Sequence, residues 1–192
     1  GQVIEQVDRL LNAQNDMEFR GKEVRVPVCY EGEFAPDLDW VALHANLTSS
    51  QVVKIHANKV YTCMMLGFSP GFVYLDEVDE KIASPRLETP RIKVVTGSIG
   101  IADAQTGIYG VDSPGGWRLI GRTPITTFNP KMNPPTPIAP GDCVKFEPIS
   151  QKEFGFIKAK PKEETVNVTG VSAFKVIQPG IFSTIQDRGR FC

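Results

Sequence analysis

Between residues 60 and 149 the chain consists of short apolar, β-branched and aromatic stretches cut at regular intervals by glycine and proline. The stretches 60–68, 72–78, 92–96, 99–102, 108–111, 117–120, 125–128 and 143–149 read as strands, and turns at this spacing predict an antiparallel sandwich or barrel. A parallel α/β sheet would need helices between its strands, and this span offers none. The expected class is therefore mainly β.

Upstream, residues 24–30 alternate apolar and polar until Pro27, which suggests an edge strand or a bulge because proline cannot donate to a ladder. Residues 37–46 and 48–57 predict two short helices. Thr48-Ser-Ser-Gln51 has the form of a capping box, in which the first and fourth side chains satisfy free backbone amides at the helix start. His56 then falls in the last turn of the second helix. Apolar residues at 3, 4, 7, 10 and 11 have helical spacing, with little around them to cover the apolar face. Residues 129–141 form a proline-rich connection, expected as a stiff surface loop. Beyond Ser150 the charged composition predicts a linker over 151–170, and strand-like sequence returns at 174–190. The chain is expected to be cut from a longer polypeptide at both ends.

The 192 residues carry a net charge of −1 and no long basic run, which argues against nucleic acid as a partner. Apolar runs are far too short for a transmembrane helix, so no membrane role is expected. Cys29, Cys63, Cys143 and Cys192 lack Cys-x-x-Cys pairing, so no metal site is expected, and free thiols in a reducing cytoplasm are the simplest reading. Asn46-Leu-Thr48 and Asn167-Val-Thr169 are read as chance matches to the glycosylation tripeptide.

Four loops punctuated by glycine or proline lie within this β framework: Gly67-Phe-Ser-Pro-Gly-Phe-Val-Tyr-Leu75, Ser84-Pro-Arg-Leu-Glu-Thr-Pro-Arg91, Gln105-Thr-Gly-Ile-Tyr109, and the segment from Ser113-Pro-Gly-Gly-Trp117 to Gly121-Arg-Thr-Pro124. Loops of this composition let backbone amides approach a ligand, and on a rigid scaffold they predict a small-molecule site. Gly67-Phe-Ser-Pro-Gly71 matches the nucleophile-elbow pattern literally, but the residue after Ser69 is Pro70, which has no N–H for an oxyanion hole. No histidine follows Ser69 in the chain either, so it reads as a turn residue.

Arg86 and Arg91 each follow a proline, and a guanidinium fork suits a carboxylate or phosphate; solvated loop arginines are the alternative. Arg122 after Gly121 resembles another anion-contact turn. Trp117 is expected to cap the core. His56 is either a general base or a satisfied structural histidine. There is no Walker-type phosphate loop, no dinucleotide glycine fingerprint and no biotin-attachment segment, so a nucleotide would bind in a non-standard way and any biotin would be carried by another domain.

Taken in order, Pro27-Val-Cys-Tyr30, Pro36-Asp-Leu38, the 67–75 motif, Pro85-Arg86 with Pro90-Arg91, Gly97-Ser98, Gln105–Tyr109 and Ser113–Trp117 closely resemble the KipI family. That family comprises the first subunit of allophanate hydrolase, carboxyltransferase-domain subunits and the B subunits of 5-oxoprolinase. The resemblance covers roughly 22–150. The segment 174–190 resembles the start of the partner KipA family, as in a natural fusion of the two subunits.

The resemblance implies a cyclophilin-like β-barrel with two short helices and a truncated N-terminal helix. Residues 1–20 would be the remnant of a smaller N-terminal domain, 21–150 the barrel, 151–170 a linker, and 171–192 the start of the KipA-like part. It implies a role in an ATP-dependent 5-oxoprolinase that opens 5-oxoproline to glutamate, with ATP used in the complex. Partners would be the KipA-like second half and an amidohydrolase-like subunit, and the substrate a small-molecule amide. Two alternatives are implied as well: carboxyl transfer in urea or amide metabolism, the one case that needs biotin, and non-catalytic inhibition of a sensor histidine kinase. Expected catalytic residues are His56, Arg86 and Arg91. Phe68, Pro70, Gly71, Tyr74, Gln105, Tyr109, Gly115, Gly116 and Arg122 are the expected substrate contacts.

Overall fold

A computed structural model of the chain describes residues 21–159. Strand β1 (Glu23–Cys29) leads through a 3-10 turn (Gly32–Phe34) to helices α1 (Leu38–His44) and α2 (Ser49–Asn58). Strands β2 (Val60–Leu66), β3 (Val73–Glu77), β4 (Arg91–Val94), β5 (Ser98–Ala102), β6 (Gln105–Ile108), β7 (Ser113–Gly115), β8 (Arg118–Arg122) and β9 (Cys143–Ile149) follow, then helix α3 (Gln151–Ala159). Seven strands close a barrel in the order β1-β8-β5-β6-β3-β2-β9, while β4 and β7 form a separate two-stranded ribbon. The expected mainly β barrel is what the chain forms.

Closure is uneven. β1 runs parallel to β9 along its whole length but touches β8 only at Cys29 opposite Arg122. One flank of β1 is thus nearly an edge, a setting that tolerates Pro27. The capping box at Thr48 is present: the Thr48 hydroxyl accepts from the Gln51 amide, and the Gln51 side chain accepts from the Thr48 amide at 2.8 Å.

The barrel wall is covered on both sides, which explains why β5 is buried along its whole length and does not alternate. Ile99 and Ile101 point into the main core with Val26, Val28, Ile108, Ile120 and Phe146. On the outer side a second cluster gathers Phe72, Val94, Ala102, Tyr109, Trp117 and Leu119. Glycines in the wall make room for it. A Cβ on Gly100 would lie 2.9 Å from Trp117, and one on Gly107 would lie 3.1 Å from the Phe72 ring and 2.8 Å from the Val73 carbonyl.

Three expectations change. The strand expected at 108–111 lies earlier, at Gln105–Ile108, because Gly107 serves the wall and not a loop. Residues 125–128 have no ladder partner; the segment follows Pro124 and packs against the 67–72 turn, with the Thr127 carbonyl and Phe128 beside Gly71. The stretch from 151, expected as linker, begins with helix α3. Ser150 and Glu153 cap it reciprocally, and Phe154 packs on Phe34 with ring centroids 4.5 Å apart. The expected N-terminal helix, the rest of the linker and the KipA-like segment lie outside the described residues. Among the described residues no helix is long and apolar enough to cross a membrane, and no group of His, Cys, Asp or Glu could hold a metal ion.

Candidate active site

The outer aromatic cluster opens into a cavity of about 330 Å³ between the barrel wall and the β4–β7 ribbon. Its walls are rings: Phe72 stands edge-on to Tyr109 at 4.9 Å and to Trp117 at 5.4 Å, with Tyr74 tilted against Phe72 at 4.5 Å. Phe68 meets Phe72 edge-on at the rim. Leu87, Pro90, Pro114, Gly115 and Gly116 complete the lining, and Arg86 supplies its one cation. Gly115 is required by close approach, since a Cβ there would overlap the Tyr109 hydroxyl. Burial pushes the Tyr109 phenol up to about 12, partly offset by the Trp117 backbone and the charges of Arg91 and Arg86. At neutral pH Tyr109 is therefore a neutral hydrogen-bonding group and not a base.

The segment 84–91 is fastened to the wall at several points. Ser84 exchanges backbone hydrogen bonds with Asp103, the Leu87 amide donates to the Gly116 carbonyl at 2.7 Å, and the Arg118 guanidinium donates to the Pro85 carbonyl at 3.3 Å. These contacts hold the Arg86 guanidinium 5.9 Å from the Trp117 ring, with Nε 3.6 Å from the exposed Asp103 carboxylate. An exposed pair at that distance is weak, so Arg86 is available to a ligand anion.

Arg91, expected as a second anion contact, is committed elsewhere. Its Nη2 donates to both oxygens of the Asp37 carboxylate at 2.7 and 2.9 Å, and Nη1 donates to the Trp117 carbonyl at 3.4 Å. Asp37 also accepts from the Leu119 amide at 2.6 Å. Arg91 braces the tryptophan wall and does not line the cavity.

His56 is overturned as a general base. It is 0% exposed inside the barrel core, stacked on Phe146 at 4.7 Å, with Nδ1 bonded to the Tyr30 hydroxyl at 2.9 Å and Nε2 to the Thr106 hydroxyl at 3.0 Å. Burial lowers its pKa to about 3, so it stays neutral. Of the other expected contacts, Phe68, Tyr74, Tyr109, Gly115 and Gly116 line the cavity with Arg86. Pro70 and Gly71 do not; they shape the turn behind it, where a Cβ on Gly110 would strike the Pro70 carbonyl. Gln105 is exposed at the far end of β6, opposite Glu77. Arg122 reaches the other way, to the Glu33 carbonyl at 3.5 Å and over the Phe34 ring.

Phe72 and Trp117 form the centre of the cavity, although sequence reasoning marks the first only as part of a motif and the second as core. A bulky aromatic directly after a glycine turn is the signal that could have found both. Asp37 escapes sequence reasoning as a brace, since nothing local connects it with Arg91.

The carboxyltransferase domain model, subdomain C and D, matches residues 1–138. The chain is 47% identical over 147 residues to the B subunit of 5-oxoprolinase from Bacillus subtilis (strain 168), covering 77% of this chain and 61% of that protein. It is 41% identical over 151 residues to the B subunit of 5-oxoprolinase from Escherichia coli O157:H7, covering 79% of this chain and 68% of that one. A conserved uncharacterized protein from Pyrococcus horikoshii has the same fold, with 50% identity and a TM-score of 0.68 over 79% of this chain and 70% of its own.

Proposed function

The chain belongs to the carboxyltransferase-domain family, subdomain C and D, which includes the B subunits of 5-oxoprolinase; from this we propose that it contributes the barrel of such a subunit and that its outer cavity takes 5-oxoproline. The chain spans 61% of the length of its Bacillus relative. One observation carries the reading: a small cavity walled by Phe72, Tyr74, Tyr109 and Trp117 has a single cation, Arg86, in its lining. 5-Oxoproline is a flat five-membered lactam bearing one carboxylate. Its ring suits aromatic walls, and its carboxylate suits one guanidinium.

Within the cavity Arg86 would orient the substrate through its carboxylate, while the rings hold the lactam in place and the Tyr109 phenol stays protonated beside it. Fixing the amide in one pose turns attack on it into a positioned event. The cavity does not suit ATP. A triphosphate needs clustered cations or a cradle of amides, and the cavity lining offers a single cation, Arg86. ATP would bind in the KipA-like or amidohydrolase-like partner.

The carboxyltransferase reading, with urea as acceptor and biotin carried elsewhere, is less suited to a ring-walled cavity, since urea has no apolar body. The test is ATP-dependent formation of glutamate from 5-oxoproline by the full-length protein, with each partner omitted in turn. Turnover with the complete set supports the proposal. Carboxylation of urea, with a biotin carboxylase supplied and 5-oxoproline untouched, would replace it.

A further inference from the structure

Most of the aromatic cluster is buried, and Phe68 is the exception: it lines the rim of the cavity yet is 65% exposed. Its backbone is unusual as well. Phe68 has φ +65°, and the Ser69 amide donates to the Gly67 carbonyl at 2.8 Å, closing a three-residue turn centred on it. A γ-turn with positive φ is rare and strained, and a bulky residue in that region is an outlier.

Glycine would relieve this conformation, and it occurs on either side, at Gly67 and Gly71, but not at the strained position itself. The surroundings leave the turn little freedom. The Phe72 amide donates to the Ser69 carbonyl at 3.1 Å, the Gly67 amide donates to the Phe72 carbonyl at 3.2 Å, and Gly110 lies so close behind Pro70 and Gly71 that a Cβ would overlap their backbone. Strain persists only where the surrounding structure enforces it, and it gathers at ligand clamps.

We propose that Phe68 is a specificity-determining residue, an aromatic clamp held by this strained turn so that its ring, edge-on to Phe72, covers the substrate at the open rim of the cavity. The inference rests on the reading of the cavity as the 5-oxoproline site. A ligand ring under Phe68 would bury part of the ring surface that is now exposed, so the contact contributes to affinity only when the cavity is filled. Apart from its edge-on contact with Phe72 the side chain is largely exposed, so its removal weakens binding more than folding.

The test is carried out on the assembled 5-oxoprolinase complex with Phe68→Ala, Phe68→Gly and Phe68→Tyr in the full-length protein, together with Arg86→Ala. Both small substitutions are expected to raise KM for 5-oxoproline at least tenfold, with a smaller effect on kcat, and tyrosine to restore it to within about threefold. In the isolated full-length protein Phe68→Gly is expected to melt above Phe68→Ala, because only glycine is at ease at this φ. If Arg86→Ala raises KM and both small Phe68 variants stay within twofold of the parent, the clamp is wrong and the cavity stands. If Arg86→Ala also leaves KM unchanged, the cavity reading fails and the clamp fails with it. A Phe68→Ala variant as stable as Phe68→Gly would overturn the strained turn.

Discussion

Asp37 and Arg91 meet through a two-pronged contact, both carboxylate oxygens lying 2.7 and 2.9 Å from the same guanidinium nitrogen, although 54 residues separate them in the chain. The pair links the N-terminal end of α1 to the first residue of β4, and through the Leu119 amide and the Trp117 carbonyl to the start of β8. One ion pair thus ties together the three elements that frame the tryptophan wall.

Arg91→Ala leaves the buried Asp37 carboxylate without its counter-charge and is expected to cost roughly 3 kcal/mol of stability. Arg91→Lys keeps the charge but loses the fork, and should cost about half as much. Urea-denaturation midpoints of the parent and the two variants check both the size and the order of the losses.

Arg86→Ala should behave oppositely. The residue is exposed and its contact with Asp103 is long, so stability should stay within about 0.5 kcal/mol of the parent. In the assembled complex, a KM for 5-oxoproline raised tenfold or more, beside an unchanged melting temperature, is what the proposed function predicts, and Arg86→Lys should fall between the two. A drop in stability equal to that of Arg91→Ala would make Arg86 a structural residue.

His56 supplies a pH dependence of folding. Its folded pKa, about 3, lies below the ordinary value of 6.5, so below pH 6.5 the unfolded chain takes up a proton that the native core refuses. The stabilisation is complete above pH 6.5 and is lost as pH falls from there toward 3, by up to about 1.4 kcal/mol per pH unit. Unfolding free energies measured between pH 7 and 5, above the range where most carboxylates titrate, should show this slope in the parent, and His56→Gln should flatten it.

Gly110→Ala tests the packing behind the cavity. The added methyl would overlap backbone atoms of Pro70 and Gly71, and backbone yields less readily than a side chain. A loss of about 2 kcal/mol is expected, together with weaker 5-oxoproline binding as the 67–72 turn is pushed outward. Thermal melts and steady-state kinetics on the same variant report the two effects separately.

The regular glycine and proline punctuation makes the barrel legible in the sequence, and Thr48 with Gln51 marks the start of α2. The family resemblance also points to the segments that build the cavity, and with them to Phe68, Tyr74, Arg86, Tyr109, Gly115 and Gly116. Side-chain roles are harder to read. Arg86 and Arg91 share the same Pro-Arg setting, yet one lines the cavity and the other is locked to Asp37, a difference created by a long-range contact with no local signature. His56 sits at a helix end that periodicity places well, but its burial depends on Tyr30, Thr106 and Phe146 converging from three strands or loops. Helix α3 is hidden by its charged composition, although Ser150 and Glu153 carry the capping signal.

The most direct test of the proposed site is a crystal structure of the assembled complex with 5-oxoproline at a concentration that saturates turnover. The expected result is the lactam ring against Phe72 and Trp117, with its carboxylate within hydrogen-bonding distance of Arg86. A ligand bound elsewhere, with this cavity empty, would contradict it.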